Sequence, residues 1–547
     1  MLRIHSAVLG CALLCAALAG AAGQEKAPPG TIAVVEVITP HRITLRSLAE
    51  SHYVIASVRN GVATLYASPQ DVAALRRSGY AVHVVEEQPA PKALSDSKTL
   101  GVYHSYAGVT DLMQSWASSF PEICRLESIG QSVQGRELWA MKITAQPDLD
   151  NEKPKLKYVG TMHGDEPLGT ELCLYFIDLL LNGFGSDPRL TALVEEFEIW
   201  VMPLMNPDGL EAGTRFNATG LDLNRSFPEG SATNIGNVFD GPPMTLAGRP
   251  LEVVHLMQWS ALHRFVLSAN LHAGSLVVNY PYDNDGKGAV NSPTPDDALF
   301  QDIARAYSVH NWPMWSSPQF VDGITNGAAW YVISGGMQDW HYRYLSCNEV
   351  TIELSNTRRP PESTLGQYWD DNREAMLAYF ETARRRVHGI VTDAQTGQPL
   401  HAAVRVSGNA HLVFTNPNVG DYHRMLLPGT YELIFRAPGY EEKRVAGVVV
   451  TEGQATRLDV ALEPAPESSA WTTLARSYPA LLAGRDPALR KMRDAVVTHS
   501  DVGAGLIAAF YRVLPQAAAL ARRDPAARLL LWAFIAPSVL ASTTPAG

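Results

Sequence analysis

Hydrophobic and polar positions change period several times along the chain, and each change marks an element. Lys155-Leu156-Lys157-Tyr158-Val159-Gly160 is followed by a tight polar stretch and then by the apolar run Leu172 to Leu181. That order predicts a strand, a loop over 161–167 and a buried helix. Further strands are predicted at Leu138 to Thr144, Glu198 to Pro203, Phe265 to Leu271 and Glu349 to Leu354, with amphipathic helices between them. Alternating strands and helices over 100–387 predict one α/β domain, a mixed sheet flanked by helices.

The flanks carry other patterns. Strands at Ile32 to Val37, Tyr53 to Val58, Ala63 to Ala67 and Tyr80 to Val85, with helices at Leu45 to Ser51 and Pro69 to Arg77, give a βαββαβ order over 31–87. This predicts a small α+β ferredoxin-like domain. It reads either as a propeptide-like or folding module that covers the next domain, or as an accessory domain. The stretch Glu87 to Ser97 has linker composition. Short alternating strands at Gly389 to Asp393, Ala403 to Gly408, Gly429 to Phe435 and Val448 to Thr451 predict a small antiparallel β-sandwich over 388–463. After the linker Glu463 to Ser469, residues 470–541 are rich in Ala, Leu and Arg and predict a helical C-terminal region. Its run Leu529 to Leu540 is short and contains Pro537, so it reads as a packed appendix, with an interfacial membrane or partner helix as the alternative.

Composition narrows the picture. A chain of 547 residues exceeds a single core. With 46% hydrophobic and 18% charged residues it is an ordinary globular chain, and a net charge of −11 argues against a nucleic-acid partner. Arg3, the apolar run Ala7 to Leu18 and the small residues Ala19 to Gly23 predict a cleaved signal peptide over 1–23, hence a secreted or periplasmic protein. The run is too short to span a bilayer. Outside it remain Cys124, Cys173 and Cys347, whose spacing fits no metal motif and which read as buried thiols or at most one disulfide.

Chemistry enters at the predicted strand ends. His163 and Glu166 lie at the C-terminal mouth of a strand, where open α/β sheets place ligands. A histidine and a carboxylate three residues apart in one loop can reach a point about 2 Å from each, which is zinc-ligand geometry. Alone, a His-x-x-Glu is more often structural. His272, also at a strand end, offers a third ligand, and Glu353 puts a charge into an otherwise apolar strand, which calls for a metal or a cationic partner.

These motifs, in this order, resemble the zinc metallocarboxypeptidases of the regulatory branch that includes carboxypeptidases N, E, D and M. The resemblance rests on His163-Gly164-Asp165-Glu166, on Arg215 to Pro228, on Ala269-Asn270-Leu271-His272-Ala273-Gly274-Ser275 and on Gly327 to Ser355. In the following domain it rests on Pro399-Leu400, Gly420-Asp421-Tyr422, Leu427-Pro428-Gly429 and Gly439-Tyr440, which resemble the branch's transthyretin-like domain. It implies one Zn2+ held by His163, Glu166 and His272, with Asp222 hydrogen-bonded to a zinc histidine. It further implies Glu353 as general base and Arg215 as oxyanion partner. Asn224, Arg225 and Tyr331 would hold the carboxylate of a peptide or protein C-terminus, and Asp283 with Gln338 would select a terminal Lys or Arg.

Other readings stay open at this stage. Asp283 also begins the polar loop Asp283-Asn284-Asp285-Gly286, a turn in its own right. A cell-wall peptidase acting on diaminopimelate would present a similar cation, and an inactive paralogue would use the cleft only to bind peptides. The sequence departs from the branch pattern at Asp165, usually Asn or Arg, and at Ala273, usually Gly. Asn217-Ala218-Thr219 and Asn224-Arg225-Ser226 match the glycosylation pattern but fall in the anchoring run.

Overall fold

The computed structural model describes residues 33–39, 48, 53–87, 93–149, 152–229 and 246–465. The expected signal peptide and helical C-terminal region lie outside these residues, as does the helix expected at Leu45 to Ser51 apart from Leu48. The chain divides into two compact units, with the break between Ala383 and Arg384.

The first unit begins with four strands, β1 (Ala33–Ile38), β2 (Val54–Arg59), β3 (Val62–Ala67) and β4 (Val82–Glu87), in the sheet order β2-β3-β1-β4. All three pairings are antiparallel, the arrangement of a ferredoxin-like sheet. Helix α1 (Pro69–Arg77) starts where Ser68 Oγ accepts from the Asp71 amide while the Asp71 carboxylate accepts from the Ser68 amide, a reciprocal cap followed by proline at the first helical position. One face of the sheet packs Val35, Val37, Ile55 and Leu65 with Leu48, Val72 and Leu75. The opposite face carries Val34, Val54, Ala56 and Tyr66, which cluster with Phe216 from the larger sheet's domain.

That larger sheet has eight strands: β5 (Cys124–Gln131), β6 (Glu137–Ile143), β7 (Lys155–Gly160), β8 (Glu198–Met202), β9 (Leu267–His272), β10 (Ser275–Tyr280), β11 (Ile324–Asn326) and β12 (Asn348–Ser355). Their order is β11-β10-β12-β9-β7-β8-β6-β5. It is mixed: β8, β7, β9 and β12 run parallel, whereas β10 is antiparallel to β12 and β6 to β8. Neighbours in a strand point to opposite faces, so adjacent residues identify the two helical layers. Tyr158 stacks on Phe380 at 4.2 Å between centroids and meets Phe176 edge-on, which places α2 (Leu168–Gly183) and α5 (Leu365–Glu381) on its side. Val159 packs with Val253, Leu256, Met337 and Trp340, which places α3 (Leu251–His263) and α4 (Met337–Leu345) on the other. Strands β8, β9 and β12 are buried at every position, as a sheet covered on both faces requires.

Three strands of this eight-stranded sheet went unread in the sequence. β5 is half-exposed and rich in polar residues, β11 has three residues, and β10 follows β9 after only two. Cys124, Cys173 and Cys347 are buried free thiols. Among the described residues no single helix is long and apolar enough to cross a membrane.

The second unit contains two four-stranded sheets. One joins β13 (Arg386–Asp393) to β16 (Asp421–Met425), β19 (Ala455–Arg457) and β20 (Val460–Leu462); the other runs β15 (Leu412–Phe414), β14 (Ala403–Val406), β17 (Gly429–Arg436), β18 (Lys443–Val450). Val387, Val391, Val404, Leu433, Phe435 and Leu462 fill the space between them. The sandwich is not wholly antiparallel as its short alternating strands suggest, because β19 and β20 both run parallel to β13.

Candidate active site

The loop after β7 is shaped by backbone demands. Thr161 adopts φ +46°, in the left-handed region that costs a β-branched residue energy, and its hydroxyl holds the turn by donating to the Glu166 carbonyl (3.2 Å) and accepting from the Thr170 amide (3.1 Å). Gly164 permits a close pass: a Cβ there would lie 2.0 Å from the Gly209 carbonyl carbon. The loop thus puts His163 and Glu166 at the C-terminal end of β7, next to His272, the last residue of β9.

His163, Glu166 and His272 are buried, and their ligand atoms all lie within 4.8 Å of one another. His163 Nδ1 is 3.0 Å from Glu166 Oε1, His272 Nδ1 is 2.9 Å from Oε2, and the two Nδ1 atoms are 3.0 Å apart. His163 Nε2 lies 3.0 Å from Asp222 Oδ1. A carboxylate only accepts, so the ring proton sits on Nε2 and the Nδ1 lone pair turns to the shared point. Two imidazoles and a carboxylate aimed at one buried point form a donor set that fits zinc.

A layer of charge holds this set. Asp222 accepts from Arg215 Nε at 2.8 Å and from the Asn224 amide at 2.8 Å, and Arg215 Nη1 donates to Glu166 Oε1 at 3.2 Å. Burial alone would raise the Asp222 carboxyl, but Arg215 and His163 together hold it well below the usual carboxylate range. Glu353, on β12, is the register partner of His272 on β9. Burial, then the neighbouring charge of Glu166, pushes its pKa up to about 8.

The loop after Arg215 is buried throughout residues 222–228. Asn224 Oδ1 accepts from the Met337 amide at 2.9 Å, and Arg225 Nη1 donates to the Asn224 carbonyl at 3.1 Å. Tyr331 is buried too, and burial raises its hydroxyl pKa. The amide side chains of both glycosylation-pattern asparagines are internal: Asn217 donates to Glu252 at 3.0 Å, and Asn224 is 5% exposed.

Asp283 is 2% exposed. Its Oδ1 accepts from Asn279 Nδ2 at 3.0 Å, and a Cβ on Gly327 would lie 2.0 Å from that same oxygen. The Asp339 carboxylate accepts from the amides of Asp283 (2.9 Å) and Asn284 (3.2 Å), fixing the backbone under Asp283. Burial, then the charge of Asp339, holds Asp283 well above the usual carboxylate range, and burial pushes Asp339 up to about 6. Arg225 opposes the shift at Asp283, so the guanidinium and the buried acid feel one another. Gln338 is buried beside Met337, at the start of α4.

The structure therefore brings His163, Glu166, His272, Asp222 and Arg215 into one hydrogen-bonded set, with Glu353 on the adjoining strand. It adds residues that sequence reasoning passed over. Asp339 and Asn279 both hydrogen-bond Asp283. Ile55 and Tyr66 reach Arg225 and Asp165 from the distant N-terminal sheet, and Arg358, just beyond Glu353, joins Tyr66 and Asp165, with no local pattern to mark any of them.

Comparisons with known proteins identify the family and the fold. Residues 109–375 match the family model of zinc carboxypeptidase, and residues 386–463 match that of the carboxypeptidase regulatory-like domain. The carboxypeptidase N catalytic chain of Mus musculus is 36% identical over 431 residues, 72% of this chain and 94% of that protein. Carboxypeptidase D of Mus musculus is 40% identical over 372 residues, 64% of this chain, which spans only 26% of that longer protein. The crystal structure of carboxypeptidase A from Helicoverpa armigera shares the fold, with TM-score 0.51 and 18% identity over 65% of this chain and 97% of that one. The chain belongs to the zinc carboxypeptidase family, with a catalytic domain of mixed α/β architecture followed in sequence by a regulatory-like β-sandwich.

Proposed function

We propose that this zinc carboxypeptidase is a secreted exopeptidase that removes Lys or Arg from peptide and protein C-termini. Asp283 is the observation that carries the specificity. It is a buried carboxylate whose own backbone is pinned by Asp339 and which packs against Gly327 where no side chain would fit, within the field of Arg225. Such a group is costly alone and is stabilised by an incoming ammonium or guanidinium through charge-assisted hydrogen bonds.

Zinc held by His163, Glu166 and His272 would supply an acidified water and a Lewis acid for the scissile carbonyl. The chain's own groups do the rest. Arg225, with Asn224 and the Tyr331 hydroxyl, clamps a terminal carboxylate, which restricts the enzyme to chain ends. Arg215 presents its guanidinium to the carbonyl oxygen as negative charge develops there. Glu353 accepts the proton of the attacking water and returns it to the departing amine nitrogen. Secretion rests on the pattern Arg3 and Ala7 to Leu18.

The deciding assay uses the purified, zinc-loaded chain on matched peptides ending in Arg, Lys, Phe or diaminopimelate, with and without chelator. Release of Arg and Lys in preference to Phe is expected, abolished by chelation. Preference for Phe would overturn the pocket, and preference for diaminopimelate would move the enzyme to cell-wall peptides. Chelator-insensitive cleavage would overturn the metal mechanism. Finding residues 1–23 retained on protein recovered outside the cytoplasm would overturn signal cleavage.

A further inference from the structure

Helix α4 brings more than Gln338 to the surroundings of Asp283. Asp339 and Arg343 stand four residues apart in it, so they share one face, 3.7 Å from each other, and that face meets the loop that bears Asp283. Three consecutive residues of the loop are held. The Arg343 guanidinium lies 4.2 Å from the centroid of the Tyr282 ring, a cation–π contact, and Arg343 Nη2 donates to the Asn284 carbonyl. Between those two points the Asp339 carboxylate accepts one amide hydrogen on each oxygen, from Asp283 (2.9 Å) and from Asn284 (3.2 Å). Arg343 thus touches the loop on both sides of Asp283. Its side chain is only 8% exposed, so solvent screens these contacts little.

The same guanidinium also governs the charge of its neighbour. Burial pushes Asp339 up to about 6, and Arg343 is the largest influence in the other direction. Deprived of that cation, the carboxyl would take up a proton more readily, and its O–H would present a donor where the loop offers amide N–H groups. Arginine suits both tasks, because a planar fork stacks on a ring and donates from its edge at once. We propose that Arg343 is a positioning residue for selectivity: by gripping Tyr282 and Asn284 on either side of Asp283 and by keeping Asp339 ionised, it fixes where the Asp283 carboxylate stands, and so how strongly a cationic terminal residue is preferred, without touching substrate. This rests on the reading of Asp283 as the group that meets that residue.

The test compares the full-length, zinc-loaded chain in three forms: unaltered, Arg343→Met and Arg343→Lys. Two quantities are read: steady-state kinetics on matched peptides ending in Arg or Phe, and amide hydrogen exchange over residues 282–286 against residues 155–160 in the middle of the large sheet. Arg343→Met keeps much of the side chain's apolar length and removes fork and charge. It should raise KM for the Arg peptide about tenfold, with kcat and the Phe peptide unchanged, and speed exchange over 282–286 by a similar factor, the scale of a hydrogen bond to a charged group. Arg343→Lys keeps the charge beside Asp339 without the stacked fork and should recover part of both effects. Unchanged exchange over 282–286 in Arg343→Met, or equal loss on both peptides, would overturn the proposal. An unaltered chain with no preference for Arg would overturn the reading of Asp283; faster exchange in Arg343→Met would then still uphold Arg343 as the residue that holds the loop.

Discussion

His163 Nε2 lies 3.0 Å from Asp222 Oδ1, and through that contact a residue 59 positions away sets which nitrogen of the imidazole faces Glu166 and His272. Since Asp222 also receives Arg215 and the Asn224 amide, it ties the candidate metal centre to the buried loop over residues 222–228. Asp222→Ala should weaken zinc binding by about 10–100-fold, the usual cost of losing a partner that orients a ligand histidine. Competition titration against a chromophoric chelator measures this; unchanged affinity would remove Asp222 from the role.

Glu353→Gln should retain zinc at one equivalent while turnover falls by about 10²–10⁴-fold, because the amide cannot accept the proton. Metal analysis alongside steady-state kinetics separates the two effects. Full activity in this variant would take Glu353 out of the chemistry.

Asp283→Asn replaces the buried acid with an isostere. Selectivity for Arg over Phe should fall about tenfold to a hundredfold, the scale of a charge-assisted hydrogen bond, while turnover on a Phe-terminated peptide stays the same or rises. Gly327→Ala should lower the same selectivity with the carboxylate still present, since its Cβ would stand 2.0 Å from Asp283 Oδ1. Selectivity ratios from mixed-peptide assays decide both.

His263 sits at the end of α3, its ring 4.6 Å from that of Trp200 and also beside Trp259 and Phe265. Burial, then the nearby Lys155, pushes its pKa from the ordinary 6.5 down to about 4. The unfolded chain binds the proton more readily than the folded one between these values. Its neutral ring therefore favours the folded state fully above pH 6.5, and that contribution is lost as pH falls through 4, on the order of 3 kcal/mol in all. His263→Phe keeps the ring packing and cannot titrate, so its stability should fall less steeply between pH 6.5 and 4. Denaturant melts across that range provide the comparison, and parallel curves would rule out His263 as the group responsible.

How much of this was legible beforehand varied with the kind of signal. Strands such as Lys155–Gly160 and Asn348–Ser355 were readable because central strands are apolar runs bounded by sharp polar breaks. β5, at the sheet's edge with its charges outward, left no such run. α1 was readable to the residue because Ser68, Pro69 and Asp71 spell out a helix start. The parallel pairing of β19 and β20 with β13 was not, since hydrophobic alternation is the same for either direction.

The sequence by itself determined the family: its motifs are short, local and ordered, and a loop such as His163 to Glu166 carries its two ligands wherever it folds. It also determined the residue types that could bind zinc, clamp a carboxylate and accept a proton. Tertiary structure alone decided what those residues meet. His163 reaches Asp222 and His272 across 59 and 109 positions, Asp283 rests on Asp339 across 56, and Asp165 is engaged by Tyr66 across 99 and by Arg358 across 193. Such contacts are fixed by which strands lie side by side and which sheet face lacks a cover. Those are properties of packing, and no local window of sequence contains them.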